Sequence, residues 1–334
     1  MRDEPEGIDT AAVGRALRAW DIEAEAVTYE PVGFGDYHWS VRDARGRRWF
    51  VTLSDLDDKD HCGVGAEAAW AGLSRAMDTA YALRTHGGLD FVVAPLLTGE
   101  GRSLVRLGER YALAVFPYRE GVGGAFGRTP AAPERAMTVD MLAELHRATP
   151  PDATPVLSAE LSARTRLESA LGELDRPWEG GPFAEPARAL LAESAAVLAR
   201  RLEEFDRRLA RLKRGAGDLV VTHGETHPGN LLWHSGRPLL LDWDTVGLAV
   251  PERDLWELAA EPEDLARYAD LSGRAPDPSA LAFYRLRWDL EDLTVYLGWF
   301  RSRHTRTQDT EAGWSGLAEI LKRLAEGAGD DGVT

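Results

Sequence analysis

The sequence of 334 residues has few of the features that mark a secreted or membrane protein. Cys62 is its single cysteine, so the chain cannot form an internal disulfide, which suits the reducing cytoplasm. No segment approaches the roughly 18 consecutive apolar residues of a membrane-spanning helix. The first 20 residues carry acids where a secretory signal needs basic and then apolar side chains. We therefore expect a cytoplasmic protein with no membrane partner.

Basic residues are also scarce in this chain. Lys and Arg number 39 against 55 Asp and Glu, which gives a formal net charge of −16. Only Lys59, Lys213 and Lys322 are lysines. This excess of negative charge disfavours nucleic acid as a partner and favours cationic ligands. With 44% hydrophobic residues the chain can bury a sizeable core, and its length predicts two lobes.

Hydrophobic periodicity divides the chain into a strand-rich part and a helical part. The first part has a helix at Asp9–Trp20, a helix at Gly65–Leu83, and strands at Ala26–Val32, Tyr37–Arg42, Arg47–Leu53, Phe91–Leu97, Ser103–Leu107 and Tyr111–Pro117. The second part has helices at Glu134–Arg147, Leu161–Leu174, Ala184–Arg214, Arg253–Ala260, Pro278–Arg303 and Glu311–Glu326. The predicted fold class is α+β, with a sheet of about five strands in an N-lobe, residues 1–117, and a helical C-lobe, residues 118–334.

The stretch from Val221 to Asp254, VTHGETHPGNLLWHSGRPLLLDWDTVGLAVPERD, is the most informative part of the chain. Leu231–His234 and Pro238–Leu241 are short apolar runs on either side of the Ser235–Gly236 turn. Turn residues between two such runs predict a tight β-hairpin. A hairpin would hold the polar residues at its entry and exit on rigid backbone.

Three polar side chains occupy that entry and exit. Glu225 precedes the first hairpin strand, Asn230 lies at its entry and Asp242 at its exit. The spacing from Glu225 to Asn230 is that of the protein-kinase catalytic loop, in which four residues separate an acid from an asparagine. Asn and Asp oxygens suit Mg²⁺, which binds one or two carboxylates together with substrate phosphates. The pattern therefore predicts a phosphoryl-transfer site with Asn230 and Asp242 as metal ligands.

The order His-Gly-acid-x-His-Pro-Gly-Asn, followed by Asp-Trp-Asp, resembles the aminoglycoside phosphotransferase family of kinase-like enzymes. The matching positions are His223, Gly224, His227, Gly229, Asn230, Asp242 and the trailing Glu252–Asp254. Chain length and the PERDLW tail look most like the spectinomycin-type members. The resemblance implies a protein-kinase-like two-lobed fold that uses ATP or GTP with Mg²⁺. It also implies transfer of the γ-phosphate to a hydroxyl of a small cationic acceptor, an aminocyclitol or aminoglycoside antibiotic.

The resemblance assigns further roles to residues of both predicted lobes. Glu225 occupies the position of the catalytic base, and His227 would orient the loop. Gly33 and Gly35 fall in the turn that covers the phosphates. Phe116 to Tyr118 would be the hinge whose backbone binds the adenine edge. Glu67, early in the first long helix, matches the acid that pairs with the phosphate-binding lysine.

Two positions depart from the family pattern. Thr52 stands where the family has that lysine, so either Lys59 or an arginine such as Arg48 replaces it, or the phosphate contacts are weak. Glu225 stands where the family has Asp, and its extra methylene moves the carboxylate by roughly 1 Å. Together they leave open a non-catalytic pseudokinase that binds a nucleotide or another ligand. A kinase for another metabolite or a peptide hydroxyl is also open.

Asp289, Asp292 and Tyr296 recur at helical spacing within the predicted helix Pro278–Arg303. Acids beside aromatic residues can hold a cationic amino sugar or aminocyclitol through charge pairing and cation–π contacts. The same pattern also fits an ordinary amphipathic helix with its acids in water. These three residues are therefore candidates for acceptor binding.

Overall fold

The computed structural model describes residues 1–215, 217–258 and 261–327. Contacts between Cα atoms divide them into two compact units. The first unit combines Met1–Leu157 with Gly217–Asp277, and the second contains the remaining described residues. The predicted strand-rich part and the predicted hairpin therefore belong to one unit. The lobe boundary between residues 117 and 118 stays a prediction.

A five-stranded antiparallel sheet forms the first part of the chain, as the alternating pattern predicts. Its strand order is β1-β2-β3-β5-β4. One face is buried by apolar residues of alternate positions, among them Trp39, Val51 and Leu113. The elements are α1 (Thr10–Ala16), β1 (Ala24–Glu30), β2 (Tyr37–Asp43), β3 (Arg48–Asp55), α2 (Ala66–Thr85), β4 (Val105–Leu107) and β5 (Tyr111–Pro117).

The predicted strand Phe91–Leu97 is wrong. The backbone hydrogen bonds of this segment go to two different neighbours. Val93 donates to Leu240 at 3.1 Å, whereas Leu96 donates to Val115 of β5 at 2.7 Å. Pro95 between them has no N–H to donate. No continuous ladder forms. An apolar run predicts that a segment is buried, but it does not determine which strand the segment pairs with.

The remaining elements are mainly helices, with two small sheets. The sheets have the orders β6-β8-β9 and β10-β7, and both are antiparallel. Helices α4, α5, α8 and α9 belong to the second unit. The elements are β6 (Val122–Gly123), α3 (Ala132–Arg147), α4 (Arg164–Gly172), α5 (Ala184–Gly215), β7 (Val220–Thr222), β8 (Leu231–His234), β9 (Arg237–Leu240), β10 (Gly247–Ala249), α6 (Glu252–Leu255), α7 (Pro262–Ser272), α8 (Pro278–Arg301) and α9 (Gln308–Gly327).

Two helical segments differ from the sequence prediction. The helix predicted at Arg253–Ala260 is the short α6, which ends at Leu255, and residues 259 and 260 lie outside the described residues. Helix α7 is an addition that periodicity missed, because only Asp264 and Tyr268 are buried along it. Proline at its first position and Gly273 in a left-handed conformation at its end are nevertheless ordinary helix boundaries. Within the described ranges, every helix is too short or too polar to span a bilayer.

Candidate functional site

The predicted hairpin is present and brings its polar residues to one mouth. Strands β8 and β9 pair antiparallel through Leu231 opposite Leu240, and Ser235 and Gly236 both have positive φ, as a tight hairpin turn requires. The pairing continues at the open end, where the Leu241 N–H donates to the Asn230 carbonyl at 2.9 Å. Asn230 and Asp242 therefore leave the hairpin side by side.

A buried carboxylate holds the loop that precedes the hairpin. Asp254 of α6 accepts hydrogen bonds from the backbone N–H groups of His223 at 2.8 Å and Gly224 at 2.6 Å. Its third partner is His146 of α3, whose Nε2 lies 3.0 Å away. Burial alone would raise the pKa of Asp254, but the hydrogen bond and charge of His146 hold it below its usual range. The loop is thus fixed to two helices.

Gly224 is required where this loop crosses α6. Its φ is +100°, and a Cβ built there would lie 2.1 Å from Nη2 of Arg253. Arg253 is itself fixed, because it donates to the Thr222 hydroxyl and to the Thr245 carbonyl, each at 2.8 Å. The trailing PERD sequence therefore supports the loop through both its arginine and its aspartate.

His223 is a structural residue beneath the loop. Its Nε2 donates to the Leu241 carbonyl at 2.8 Å, and its Nδ1 accepts from the Glu225 N–H at 3.2 Å. This pairing requires a neutral ring with its proton on Nε2, and burial lowers the pKa of His223 accordingly. The ring thus ties the loop to the exit of β9.

Glu225 and Asn230 are joined across the loop. The Asn230 amide nitrogen donates to the Glu225 carbonyl at 2.9 Å, so the amide oxygen is the atom left to serve as a metal ligand. The Glu225 side chain is half-buried, and burial together with the charge of Asp244 raises the pKa of its carboxyl. His227 is buried beside them with its ring edge against Phe126. Burial and the neighbouring His223 lower the pKa of His227 to about 4, so its ring is neutral at pH 7.

Three carboxylates meet at the hairpin exit. One oxygen from each of Asp36, Asp242 and Asp244 lies within 4.8 Å of the others. Asp242 is exposed and has a φ of +60°, whereas the other two are buried. Hard oxygen donors in this number fit a divalent cation such as Mg²⁺. Asp36, which directly follows the Gly33–Gly35 turn, is a member of this cluster that sequence reasoning missed.

Lys59 is the cation inside this cluster. Its Nζ lies 2.6 Å from Asp244 and 3.0 Å from Asp36, and the residue is only 6% exposed. Burial alone would lower the pKa of Lys59, but the charges of Asp244 and Asp36 hold it well above its usual range. Its backbone follows a 3₁₀ turn after β3, seven residues beyond Thr52. The family lysine position itself bonds elsewhere, because the Thr52 hydroxyl lies 3.2 Å from Nδ1 of His38.

His61 is a second residue that sequence reasoning missed. Its Nε2 lies 3.2 Å from Asp244, on the same carboxylate oxygen that Lys59 contacts. The neighbouring Cys62 thiol donates to the Asp244 backbone carbonyl at 3.4 Å. The only available signal was the position of both residues directly after Lys59, in a polar linker of no recognisable motif.

Other predicted nucleotide residues have different surroundings. Arg48 pairs with Glu120 and stacks over the Tyr118 ring, with 3.6 Å to the ring centroid, so it is not brought to the acidic cluster. Glu67 is exposed and pairs with Arg106 at 2.8 Å rather than with Lys59. Phe116 lies in β5 opposite Phe50, and Tyr118 follows the end of that strand. Gly33 and Gly35 both adopt positive φ in the turn between β1 and β2.

The three predicted acceptor residues lie in the second unit. Asp289 accepts a hydrogen bond from Arg323 of α9 at 2.6 Å. The Tyr296 ring of α8 packs against Gly313 and Gly316 of α9. Asp292 is a charged neighbour of that ring. Asp289 and Tyr296 therefore contribute to the packing of α8 on α9. Acceptor binding by these three residues stays a prediction.

The sheet, the glycine turn and the loop before the Asn/Asp hairpin together define a kinase-like protein. A family model described as the phosphotransferase enzyme family matches residues 31–287, and the chain therefore belongs to that family. Protein StrN of Streptomyces griseus is 28% identical over 320 residues, which are 90% of this chain and 88% of that protein.

Solved structures share the fold. Spectinomycin phosphotransferase APH(9)-Ia, in complex with ADP and spectinomycin, matches with a TM-score of 0.71 and 16% identity over 96% of this chain and 98% of its own. The amicoumacin kinase hAmiN, in complex with AMP-PNP, Ca²⁺ and Ami, matches with a TM-score of 0.58 and 15% identity over 96% of this chain and 93% of its own. These likenesses confirm the predicted kinase-like α+β fold.

Proposed function

We propose that the protein transfers the γ-phosphate of ATP or GTP, with Mg²⁺, to a hydroxyl of a small cationic acceptor. The proposed acceptor is an aminocyclitol or aminoglycoside antibiotic. The observation that carries this proposal is the hairpin mouth, where Asn230, Asp242 and the loop of Glu225 meet next to Lys59. Phosphoryl transfer needs mainly positioning and charge neutralisation, which such a mouth supplies.

The donor set at the mouth suits the proposed metal. Asn230 and Asp242 would hold Mg²⁺ through an amide oxygen and a carboxylate oxygen. The hydrogen bond from the Asn230 amide nitrogen to the Glu225 carbonyl orients the side chain for this role. A bound Mg²⁺ would supply positive charge that neutralises the phosphate oxygens. Asp36 and Asp244 add negative charge close by, and Lys59 balances part of it.

The proposed nucleotide site contains Lys59 in place of the missing lysine at Thr52. An ammonium group has three donors, and two of them face Asp36 and Asp244, so the third can contact a phosphate oxygen. The turn of Gly33 and Gly35 would cover the phosphates, since Asp36 fixes its end against Lys59. The hinge after β5 would bind the adenine edge through backbone groups.

Glu225 is the proposed base. A carboxylate within hydrogen-bond reach of the acceptor hydroxyl orients it and accepts its proton late in the reaction. The raised pKa of its carboxyl makes it a better proton acceptor than an exposed glutamate. His227 is neutral and buried under the loop, which suits positioning rather than proton transfer.

Thr52 and Glu225 favour a second candidate, a non-catalytic protein that binds a nucleotide without turnover. A third candidate is a kinase for another metabolite or a peptide hydroxyl. Labelled ATP and GTP, incubated separately with a panel of aminocyclitols, aminoglycosides, neutral polyols and Ser/Thr peptides, distinguish these candidates. Acceptor-dependent label transfer to an amine-bearing compound supports the proposal. Nucleotide binding without any transfer would favour the non-catalytic candidate. Transfer only to polyols or to peptides would favour a kinase for another hydroxyl.

A further inference from the structure

Met1 lies against the glycine turn, residues 32–36, between β1 and β2. Its ammonium group donates to the Asp36 carbonyl at 2.6 Å and to the Val32 carbonyl at 3.0 Å. Its thioether sulfur accepts a hydrogen bond from the Gly35 N–H at 3.2 Å. The residue is only 8% exposed. Met1 therefore contacts both ends of the turn and the backbone between them.

Two tyrosines hold the first six residues, the N-terminal segment, against the sheet. The Tyr29 hydroxyl of β1 donates to the Asp3 carbonyl at 2.5 Å and lies 2.9 Å from the Met1 carbonyl. Farther along the segment, the Tyr111 hydroxyl of β5 donates to the Glu6 carbonyl at 3.1 Å. The position of Met1 is therefore determined by contacts with the sheet as well as by the turn itself.

Asp36, at the end of the turn, is held from two sides. Its backbone carbonyl accepts the hydrogen bond from Met1, and its carboxylate lies 3.0 Å from Nζ of Lys59. Lys59 also contacts Asp244, next to the hairpin exit. The backbone of the turn is thus joined to the N-terminal segment, while its last side chain is joined to the cluster at the hairpin mouth.

The glycine turn depends on such contacts to keep one conformation. The ladder between β1 and β2 ends where Glu30 lies opposite His38, so the turn extends beyond the last paired residues. Gly33 and Gly35 have φ values of +73° and +94°, and glycine loses more conformational entropy on ordering than any other residue. A turn that is already ordered loses less entropy when a ligand binds beneath it.

We propose that Met1 is a positioning residue that keeps the glycine turn in the conformation that covers the phosphates of a nucleotide. This inference rests on the proposed nucleotide site and adds a part of the chain that no sequence motif assigned to it. Met1 acts through the backbone of the turn and takes no part in proton or phosphoryl transfer. Its effect on affinity should therefore depend on the phosphates of the ligand.

The test compares ligands with and without phosphates by calorimetry. The ligands are AMP-PNP and GMP-PNP, each with Mg²⁺, and the nucleosides adenosine and guanosine. Tyr29→Phe removes the hydroxyl that holds the N-terminal segment and keeps the ring. A second variant carries Gly-Ser ahead of Met1, which converts the ammonium group into an amide with a single N–H. The control is Tyr81→Phe, which removes the same hydroxyl from a half-buried tyrosine of α2.

We expect the Gly-Ser variant to bind the preferred triphosphate analogue about fivefold more weakly than wild type, because one hydrogen bond to a turn carbonyl is lost. Tyr29→Phe should weaken the same ligand by about threefold, since the segment is held less firmly. Neither variant should change the affinity for the nucleoside. Tyr81→Phe should change the affinity for neither ligand.

Unchanged affinity for the triphosphate analogues in both variants would overturn the inference and leave the proposed nucleotide site standing. Equal weakening of the analogue and its nucleoside would also overturn it, because the effect would then not depend on phosphates. If wild type binds neither analogue, the proposed nucleotide site fails and this inference fails with it. The measurement needs no turnover, so its outcome is independent of whether Glu225 is active.

Discussion

Lys59 is the residue on which the proposed nucleotide site depends most. Its buried ammonium group joins Asp36, at the end of the glycine turn, to Asp244, next to the hairpin exit. The sheet position that normally carries a phosphate-binding lysine is Thr52, paired with His38. We propose that Lys59 takes the place of that lysine beside the phosphates.

Replacing Lys59 should weaken nucleotide binding. We expect Lys59→Ala to raise the Kd of ATP or GTP by about tenfold, equivalent to about 1.4 kcal/mol, because one phosphate contact is lost. Adding Thr52→Lys should restore part of that affinity. The control is Lys322→Ala, since Lys322 is exposed. Fluorescence titration with a labelled nucleotide measures both variants.

Lys59→Ala also removes the lysine that pairs with two buried carboxylates, so its stability has to be followed. Lys59→Arg keeps the charge and serves as the second variant if the alanine form does not fold. An unchanged Kd in a folded Lys59→Ala protein would remove this lysine from the phosphate site. The loop backbone would then be the remaining binding element.

Glu225 decides between an enzyme and a non-catalytic relative. If the site is built around glutamate, Glu225→Asp draws the carboxylate back by roughly 1 Å and should lower turnover by about 10²-fold. Nucleotide affinity should barely change, because the carboxylate acts on the acceptor. Steady-state kinetics with the best acceptor measure both quantities. Turnover that rises in Glu225→Asp would mean that glutamate marks a weakened site.

Some functional residues could not have been found from the sequence. The pair of Lys59 and Asp244 is separated by 185 positions. Asp36 follows the Gly33–Gly35 turn, whose pattern does not include an acid at that place, and His61 lies in a polar linker with no recognisable motif. The sequence offers Lys59 and Arg48 as the two basic residues near Thr52 that could replace the missing lysine. It contains nothing that chooses between them. Tertiary pairing makes that choice: Arg48 is engaged with Glu120 and Tyr118, and Lys59 faces the acids.

The loop before the hairpin is constrained where Gly224 passes close to Arg253. Gly224→Ala should destabilise the fold, because the new Cβ would meet Arg253 at 2.1 Å and the φ of +100° is strained for alanine. Gly236→Ala is a matched control, since Gly236 has a φ of +77° but nothing within 4 Å of the added Cβ. We expect Gly224→Ala to lose about 1–3 kcal/mol more than the control in urea unfolding. An equal loss of unfolding free energy in the two variants would mean that the Arg253 side chain moves aside at little cost.

The sheet carries an acid-sensitive pair in His38 and Thr52. Burial lowers the pKa of His38 from 6.5 to about 3, so the unfolded chain binds a proton there that the folded protein does not. Protonation of His38 therefore destabilises the folded state progressively as the pH falls from 6.5 toward 3, and this penalty is absent above pH 6.5. Between pH 6 and 5, His38→Asn should reduce the loss of stability by up to about 1.4 kcal/mol per pH unit. Identical pH slopes for both proteins would contradict this assignment.

Local signals determined most elements but not their partners. The Ser235–Gly236 turn and its flanking apolar runs predict the hairpin, because turn chemistry and pairing are local. Phe91–Leu97 was wrong as a strand because its hydrogen bonds are divided between distant neighbours. Helix α7 was missed because its amphipathic signal covers only 11 residues. The local sequence pattern does not determine which segments pair when they are far apart in the chain.

At the scale of the whole molecule, the negative net charge suits the proposed cationic ligands. A net charge of −16 attracts cations over long range, including a protonated acceptor and Mg²⁺. The same charge repels a nucleotide, so the proposed nucleotide site relies on local cations such as Lys59 and on the proposed metal. Acceptor and nucleotide affinity should therefore respond in opposite directions to added salt.

The central claim is that the hairpin mouth transfers a phosphoryl group, and ³¹P NMR tests it most directly. Wild-type protein with ATP or GTP, Mg²⁺ and spectinomycin should produce ADP or GDP together with a new phosphomonoester resonance. Asp242→Ala should produce no ester while remaining folded, because a metal ligand is lost at an exposed position. An ester that forms equally in Asp242→Ala would contradict the account. So would a nucleotide that binds to wild type and stays intact with every acceptor tried.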